Sequence, residues 1–495
     1  MNVVDFAQAL PKKAPTAEQA KNIDGILKIG RQFHQDCGIP EYTTGGQIVF
    51  ESGHQTNFVP HCGVWRKVFM LDRLAEAVPD SIPVFGFADY NLSTASLLYQ
   101  SKIPQHNREG CWKIGFTIKA EDRWKRFDTL PKPGKAAFET LLVEIRSAYE
   151  HNARRAGVDV RAINSNIDRL VSVFDECYAK SESFADLNSY FFARVCTELL
   201  GLKALFFRYK DVQSERLFLE AAQKLAAKSE EFAAACNDSV RKRGLADELG
   251  SAEDYYFPFW LHCRCGGKVT MSLYEGQIRG RCPVCETGHR FGLEDFGKHY
   301  PEMAPTAIAR NLVFSEGLGT TLFVSGAGGG LRYGSVANDA SDALGFHKPT
   351  TMAWKGRDYY LGAAHRAALT DFARTLEVSL ARLSEDDLPI LLGGRRRELE
   401  SRLSSTPETD KKTRQKYQGQ LKNVETQGRI AYSLFSTTPS AFDVFANVGL
   451  QETLRAWQKA YESAEVEDGE FKTVNSDVVY SPEAPSIYKK IASEK

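Results

Sequence analysis

The spacing of apolar and polar positions predicts a strand–helix–strand unit near the start of the chain. Apolar residues recur at helical spacing over 17–35 and about 64–77, and β-prone apolar runs lie at 47–50 and 82–88. An uninterrupted apolar run is typical of a strand that is covered on both faces. The first helix is expected to end at the break over 37–40. Two strands joined through a helix predict a parallel sheet.

From about residue 134 to 245, the sequence pattern changes to that of long amphipathic helices. Apolar positions recur there every three or four residues, as in Phe138, Leu141, Leu142, Ile145 and Tyr149. We therefore expect a helical insertion over 134–250. A β-prone run at 321–324 follows much later and predicts a return of the chain to the first sheet.

The last third of the chain is helical in pattern beyond residue 358. One stripe, spaced close to a heptad, consists of Leu369, Phe372, Leu376, Leu380 and Leu383. Two further stripes consist of Tyr417, Leu421 and Val424, and of Leu450, Leu454, Trp457 and Tyr461. These stripes predict a helical hairpin or coiled coil with a closing helix over 358–463. Residues 464–495 are expected to form a loosely held tail.

Length and charge limit the classes of function. A chain of 495 residues exceeds what one hydrophobic core usually organises. The 63 Lys and Arg residues balance the 63 Asp and Glu residues, which removes the overall positive field of a non-specific nucleic-acid binder. No apolar stretch reaches the length of a membrane span, and the opening residues lack the layout of a signal peptide. A cytoplasmic protein is expected.

Four of the ten cysteines lie within 23 residues and predict a metal site. Cys263 and Cys265 are separated by sixteen residues from Cys282 and Cys285. Two short cysteine pairs joined by a hairpin are typical of tetrahedral zinc, and 268–272 and 277–280 alternate like the two strands of such a ribbon. The other six cysteines are scattered singly and are expected to be buried thiols.

The ligand set has two alternatives, because the first pair has C-x-C rather than C-x-x-C spacing. We favour Cys263, Cys265, Cys282 and Cys285, with His262 in place of Cys263 as the alternative. Four protein ligands leave no open position, so a structural zinc ion is predicted. Zinc ribbons also bind nucleic acid, but only a few basic residues lie nearby, so that role is not favoured. The domains expected from these patterns are 1–133 and 299–357 as two halves of one sheet core, 134–250 as a helical insertion, 251–298 as a zinc ribbon, 358–463 as a helical coiled-coil domain and 464–495 as a tail.

Ligands of open parallel sheets bind beyond the carboxyl ends of the strands. The first such loop is expected at 52–57, followed by a helix that carries Lys67. The later glycine-rich loop at 325–330 can close main-chain amides around an anion. The residues of interest in the first region are Gly53, His54, Gln55, Asn57, His61 and Lys67. Those in the second are Ser325, Gly326, Gly328, Gly329 and Tyr333.

The loop after the second predicted strand contains Asp89 and Asn91. A carboxylate there can hold an amine or a ribose hydroxyl, and an Asp/Asn pair is equally typical of a turn. His54 and His61 are candidate acid–base or polarising groups, whereas a loop histidine is more often an ordinary hydrogen-bonding residue. No nucleophile elbow, Walker loop or full dinucleotide fingerprint is present in the sequence.

In combination, these blocks resemble the cysteine-adding enzymes of bacillithiol biosynthesis. Gly53-His54-Gln55 followed by Lys67 is similar to the family's Gly-Gln-Gln-type loop and following helix. The segment 83–91 is similar to its Pro-Val-Phe-Trp-type run and acidic cluster, 325–329 before Tyr333 to its Gly-Pro-Gly-Glu loop, and 345–349 to its Gly-Ile…Pro element. His54 stands where the family has Gln, Asp89 alone remains of the acidic cluster, and the glycine loop lacks its Glu.

The resemblance covers roughly 45–100 and 300–460. It implies a Rossmann-like core of the nucleotidyltransferase type, helical insertions, and a carboxy-terminal coiled coil that makes a homodimer. It also implies a ligase that joins an amino acid, cysteine in the typical member, to the amine of a small metabolite, with ATP or ADP as a nucleotide ligand. In that function Gly53, His54 and Gln55 would position the acyl group, Asp89 would hold the amine, and the amides around 326–329 would bind an anionic group.

Two other functions fit the same patterns. Class I aminoacyl-tRNA synthetases and nucleotidyltransferases share this core and often carry zinc modules, and 60–63 lies where their first histidine signature would be. It lacks the second histidine, and there is no KMSKS-like loop. A scaffold built from a zinc ribbon and a coiled coil, which assembles partners or binds nucleic acid without catalysis, is the non-enzymatic alternative.

Overall fold

The structure is a computed structural model that describes residues 1–380, 383 and 388–491. Part of the predicted helical hairpin (381, 382 and 384–387) and of the predicted tail (492–495) therefore lies outside the described residues. The helices are Val3–Gln8, Ala17–Cys37, Cys62–Ala77, Lys135–Ala156, Val160–Lys180, Phe184–Arg194, Tyr209–Ser214, Leu219–Ala227, Ser229–Arg243, Ala246–Leu249, Phe296–His299, Ala307–Leu318, Gly329–Leu344, Ala363–Leu376, Leu388–Ser405, Lys411–Ser436, Ala441–Val448, Leu450–Glu462 and Ala484–Ile491.

The strands form one large sheet and three smaller ones. They are β1 (Ile48–Gln55), β2 (Ser81–Ala88), β3 (Gln100–Pro104), β4 (Cys111–Gly115), β5 (Leu205–Arg208), β6 (Tyr256–His262), β7 (Lys268–Tyr274), β8 (Gln277–Arg281), β9 (Gly288–Gly292), β10 (Met303–Pro305), β11 (Leu322–Ser325), β12 (Thr350–Lys355), β13 (Asp358–Tyr359), β14 (Val466–Glu467), β15 (Lys472–Asn475) and β16 (Val478–Val479). The large sheet has the order β14-β15-β12-β11-β1-β2-β5, and its strands run parallel except β14.

The predicted βαβ unit and the later return to the sheet are both present. β1 pairs in parallel with β2, with Ile48 opposite Ser81, and also with β11, with Phe50 opposite Leu322. From these two central strands the chain runs outward in opposite directions, through β2 and β5 on one side and through β12 and β15 on the other. The chain is thus a mixed α/β protein with a mainly parallel sheet.

The helices that follow β1 and β11 cover opposite faces of the sheet. Val68 of the helix Cys62–Ala77 packs in one apolar core together with Phe50 of β1. Val336 of the helix Gly329–Leu344 packs in a second core together with Val49, the neighbouring residue of β1. Because successive strand residues point to opposite faces, the two helices lie on either side of the sheet. Their amino-terminal ends flank the point at which the strand order reverses.

Two segments that the sequence pattern did not assign to the sheet contribute strands to it. One lies in the predicted helical insertion and the other in the predicted tail. β5 lies inside the predicted helical insertion, and its Phe206 is fully buried next to β2. β15 lies inside the predicted loose tail, where Val474 is fully buried and pairs beside Trp354 of β12. A run of four residues is too short for its periodicity to show whether it is a strand. Their burial against a preceding strand is a long-range property.

Helices of the predicted helical domain pack against one another, but the predicted closing helix packs elsewhere. Leu369, Phe372 and Leu376 share an apolar cluster with Ile430 and Leu434 of the helix Lys411–Ser436. The last predicted stripe lies on the helix Leu450–Glu462. Its Trp457 is fully buried, and its ring centroid lies 5.9 Å from that of Phe69 in the core of the large sheet.

The cysteine-rich segment folds as an antiparallel sheet of order β10-β6-β7-β8-β9. The strands predicted over 268–272 and 277–280 are present as the hairpin β7–β8, with Ser272 opposite Arg279. Among the helices of the described ranges, none combines the length and the apolar character that crossing a membrane requires.

Candidate functional site

A cleft of about 1370 Å³ lies at the carboxyl ends of β1 and β11. It occupies the point at which the strand order reverses, where ligands of open parallel sheets usually bind. The antiparallel sheet forms one wall through Trp260 and Lys268, and the helical hairpin contributes residues near Phe435. The sequence-predicted residues that line the cleft are Gly53, His54, Gln55, Asn57, His61, Lys67, Asn91, Ser325, Gly326, Gly328, Gly329 and Tyr333. Three segments that are distant in the sequence therefore meet in one cavity.

The first of these segments is the end of a strand rather than the expected loop. β1 continues to Gln55, because His54 and Gln55 still pair with Phe87 and Ala88 of β2. A methyl group on Gly53 would meet the Tyr209 hydroxyl and lie 2.8 Å from the Gly86 carbonyl oxygen. Glycine is therefore needed at 53 for close packing, which fixes where the next side chain enters the cleft.

His54 is half-buried and neutral. Burial is the main cause that lowers its pKa to about 3, and the positive charge of Lys67 lowers it further. Its Nδ1 lies 3.0 Å from the carbonyl oxygen of Gln55. Donation of a proton from Nδ1 to that oxygen leaves Nε2 as an acceptor, so His54 is suited to accept a hydrogen bond.

His61 has a structural role as well as a place in the cleft wall. It is the residue before the helix Cys62–Ala77, and the main-chain N–H of Gly63 donates to its Nδ1 over 3.2 Å. This bond caps the helix. Burial lowers the pKa of His61, and the nearby carboxylate of Asp358 partly opposes that effect. Like His54 it is uncharged near neutral pH, but its Nδ1 already accepts from Gly63, so its Nε2 carries the proton and is a hydrogen-bond donor.

Lys67 is 8% exposed and points back toward the end of β1. Its ammonium group donates to the Gly53 carbonyl oxygen over 3.0 Å. Burial, and then the charge of Arg310, lowers its pKa to about 8. The lysine is therefore mostly charged near neutral pH and makes no ion pair with a described carboxylate, which leaves its charge available to a ligand.

The glycine turn after β11 adjoins this lysine. The helix Gly329–Leu344 begins after Gly328 without a side-chain cap, so its first N–H groups are free to bind an anion. There is open space where side chains on Gly328 and Gly329 would lie. The Lys67 Nζ atom lies 3.9 Å from the place of a Cβ atom on Gly326. Main-chain donors and a cation thus face the same part of the cleft.

Asp89 does not line the cleft. It is 1% exposed, and its Oδ1 accepts a hydrogen bond of 3.1 Å from the main-chain N–H of Lys210, just after β5. Burial raises its pKa to about 7, the charge of Lys210 opposes this shift, and Asp128 adds to it. Asp89 therefore joins the carboxyl ends of β2 and β5 beneath the cleft. Asn91 does reach the wall, and its side chain donates to the Ala88 carbonyl oxygen over 2.9 Å.

The cleft is strongly cationic. Only one carboxylate of the described residues lines it, Asp358, and that group is paired with Arg66 at 2.7 Å. The Lys and Arg side chains that line it are Arg66, Lys67, Lys102, Lys268, Arg310 and Arg357. Such an excess of positive charge in a concave site attracts anions. Arg310 and Lys268 were not identified from the sequence as cleft residues, since a basic residue on a helix or strand usually faces solvent.

The four clustered cysteines form a candidate metal centre. Their Sγ atoms all lie within 4.8 Å of one another. Cys263 and Cys285 are 3.6 Å apart, and Cys265 and Cys282 are 3.5 Å apart. Four thiolates at zinc–sulfur bonds of about 2.3 Å would be about 3.8 Å apart, so the donor set fits a tetrahedral ion. His262 is not part of this group, and its Nε2 atom is buried without a hydrogen-bond partner.

The cysteine-bearing turn continues directly into the cleft wall. The carbonyl oxygen of Gly266, in the turn after Cys265, accepts a hydrogen bond of 2.8 Å from the N–H of Arg126. Lys268 begins β7 directly after this turn and lines the cleft. The position of the cleft wall therefore depends on the fold of the cysteine-bearing turn.

Comparison with models of known protein families finds none that matches the chain, and a search of curated proteins finds no match either.

Proposed function

We propose that the chain is a carbon–nitrogen ligase that joins an amino acid to the amine of a small anionic metabolite. The cleft would be its active site, on a Rossmann-like core similar to that of the cysteine-adding enzymes of bacillithiol biosynthesis. The main support is the charge of the cleft at the reversal point of the sheet, where Asp358 pairs with one of six basic side chains and leaves five without a lining carboxylate among the described residues. A metabolite that carries phosphate or carboxylate groups would compensate this charge.

The same positive charge would favour the reactive form of the amine. An amine attacks an acyl carbon only when its nitrogen is neutral, and nearby cations disfavour an ammonium ion. Neutral His54 would accept a hydrogen bond from the amine through Nε2, and the Nε2–H of His61 would donate to an oxygen of the substrate. The proton released as the C–N bond forms would pass to the departing phosphate or to water. Gly53 and Gln55 would position the acyl group beside them.

Asp89 has a different role in this proposal from the one that the resemblance implies. Its carboxylate does not line the cleft, so it would not hold the amine directly. It would act as a positioning residue that keeps Asn91 and the end of β2 in place through its bond to Lys210.

The acyl group must have a leaving group. Condensation with a free carboxylate releases water, whereas a carboxylate activated by a nucleotide releases phosphate or nucleotide. We propose ATP or ADP as a ligand at the glycine turn beside Lys67, where main-chain donors face the cleft. ATP consumption together with pyrophosphate exchange would instead indicate the adenylating enzymes as the better comparison.

The cysteine centre would hold a structural zinc ion in a zinc ribbon. Four cysteine ligands fill a tetrahedral ion and leave no position for a bound water molecule. Zinc would thus stabilise the wall that carries Lys268. The helices 388–405 and 411–436 would pair two subunits as a coiled coil, in agreement with the exposed Ile390 on the first of them.

The test is an assay of amide formation. The metal-loaded protein is incubated with an amino-acid mixture and amino-sugar phosphates or malates, with and without ATP, and new amides are identified by mass spectrometry. We expect a product that disappears in both His54→Ala and Lys67→Met. Full turnover in both variants, or co-purified nucleic acid without any product, would contradict the proposal and favour the binding scaffold.

A further inference from the structure

A second group of unpaired donors lies in the cleft wall, next to the cysteine-bearing sheet. Lys268 is only 9% exposed. Its ammonium group lies 5.2 Å from the ring centroid of Tyr90 and 5.0 Å from that of Trp260. It makes no hydrogen bond or ion pair with a described residue, although a buried charge normally has such a partner. Burial lowers its pKa to about 7, so a bound anion would favour its charged form at neutral pH.

Tyr90 and Arg310 contact each other in the same place. Tyr90 is 1% exposed, and a guanidinium can only donate to its oxygen, so the buried O–H of Tyr90 remains free to donate to a ligand. The Arg310 guanidinium lies beside it, 5.0 Å from the ring centroid of Tyr209, and makes no ion pair with a described carboxylate. Native structures leave few buried polar groups unsatisfied, and such groups often mark a ligand position.

We propose that Lys268, Tyr90 and Arg310 form a subsite for a phosphate group of the substrate. Two cations without carboxylate partners match the charge of a phosphate dianion, and an ammonium, a guanidinium and a hydroxyl group can each donate to a different oxygen. All three side chains line the cleft. This inference rests on the proposed function, because it describes the acceptor metabolite of the same active site.

The subsite is separate from the glycine turn. Lys67 donates to the Gly53 carbonyl oxygen and adjoins Gly326, whereas Lys268 lies over the rings of Tyr90 and Trp260. Arg310 is near both lysines, since its charge lowers the pKa of each. A ligand that reaches both ends would carry two anionic groups, and the cleft volume of about 1370 Å³ accommodates such a molecule. The acceptor amine is thus predicted to be a phosphorylated compound with a second anionic group.

Binding of inorganic phosphate tests the subsite without substrates or ATP. Isothermal titration is performed on the metal-loaded protein in a Lys67→Met background, which weakens the other anion position. We expect Lys268→Met to reduce phosphate affinity by at least about tenfold and Tyr90→Phe to reduce it several-fold, as expected for hydrogen bonds to a charged group. Lys135→Met, which removes an exposed lysine that does not line the cleft, should leave the affinity unchanged.

Equal affinity in Lys268→Met and Lys135→Met, or no phosphate binding in any variant, would overturn the subsite. Malonate is titrated in parallel, and tighter Lys268-dependent binding of malonate would overturn the choice of phosphate in favour of a carboxylate. If circular dichroism shows that Lys268→Met does not fold, the phosphate affinity of Tyr90→Phe tests the subsite instead, because that variant removes only a hydroxyl group. If phosphate binding depends on Lys268 but no amide forms, the ligase proposal is contradicted and the subsite stands. If amides form but phosphate binding does not depend on Lys268, the subsite is contradicted and the ligase proposal stands.

Discussion

The Lys67 ammonium group donates a hydrogen bond to the Gly53 carbonyl oxygen over 3.0 Å. This bond joins the helix that follows β1 to the last residues of that strand, so the lysine cannot leave the cleft without breaking it. Gly53 in turn packs against the Gly86 carbonyl oxygen of β2. One cation is therefore fixed between the two strands on which the candidate site is built.

Anion binding at this lysine should depend on pH. The pKa of Lys67 is lowered to about 8, so its charge is lost as the pH rises through that value. Sulfate, whose own charge is constant in this range, should bind the wild type more weakly at pH 9 than at pH 7. Lys67→Arg should remove the part of this change that Lys67 causes, because a guanidinium remains charged. Identical pH profiles of the wild type and Lys67→Arg in isothermal titration would contradict the assignment.

His54 should act as a hydrogen-bond acceptor and not as a charged group, because its pKa is lowered to about 3. His54→Gln keeps an acceptor and should retain amide formation within about tenfold, whereas His54→Ala should lose about a hundredfold. Steady-state kinetics of both variants measure this difference. Equal losses in the two variants would show that the imidazole itself is required.

The metal centre predicts one zinc ion per chain, bound by cysteines alone. Cys263→Ser should lower the zinc content measured by atomic emission and reduce thermal stability, because a structural ion contributes directly to folding. His262→Asn should retain zinc, since His262 lies outside the cysteine group. Cys236→Ser, at a buried cysteine elsewhere, is the matched control. Loss of zinc in His262→Asn would instead favour the ligand set in which His262 replaces Cys263.

Gly53→Ala should destabilise the protein by about 1–3 kcal/mol, the usual cost of an extra methyl group in a packed site. The new methyl group would meet Tyr209 and lie 2.8 Å from a main-chain oxygen of β2, which cannot easily move. Gly329→Ala is the matched control, because open space surrounds that position. Urea unfolding compares the two variants, and equal stability would contradict the close packing at 53.

Asp443 should make the stability of the protein fall as the pH rises. Burial raises its pKa from 3.8 to about 7, while a hydrogen bond of 2.8 Å from the Tyr149 hydroxyl opposes this shift. The protonated carboxyl is therefore favoured in the folded state, and its contribution is complete below pH 3.8 and lost as the pH rises to 7.

Asp443→Asn does not titrate, so its stability relative to the wild type should rise between pH 5 and pH 8, by up to about 3 kcal/mol. Urea unfolding at the two pH values measures the difference. The exposed Asp342→Asn serves as the control, since no comparable burial applies there. A gain in the free energy of unfolding that does not change with pH would contradict a raised pKa of the buried Asp443 carboxyl.

The central part of the fold was predictable because its signals are local. The runs at 47–50 and 82–88 and the helix between them carry their burial pattern within a few residues. The clustering of four cysteines indicated a metal site, although the choice between Cys263 and His262 needed the structure. The short strands β5 and β15 were not predictable, because four residues show no period and become strands only by pairing with β2 and β12.

By itself, the sequence determined the parallel unit around β1 and β2, the cysteine group, and the glycine and histidine residues at the strand ends. Only the tertiary structure decided that Lys268 and Arg310 face this cleft and that Asp89 lies beneath it. The spacing of apolar residues along the chain shows which residues are buried together with their near neighbours in sequence. The charge of a cleft is set by side chains that are hundreds of residues apart. The sequence around each of these basic residues looks the same as the sequence around a basic residue that faces solvent.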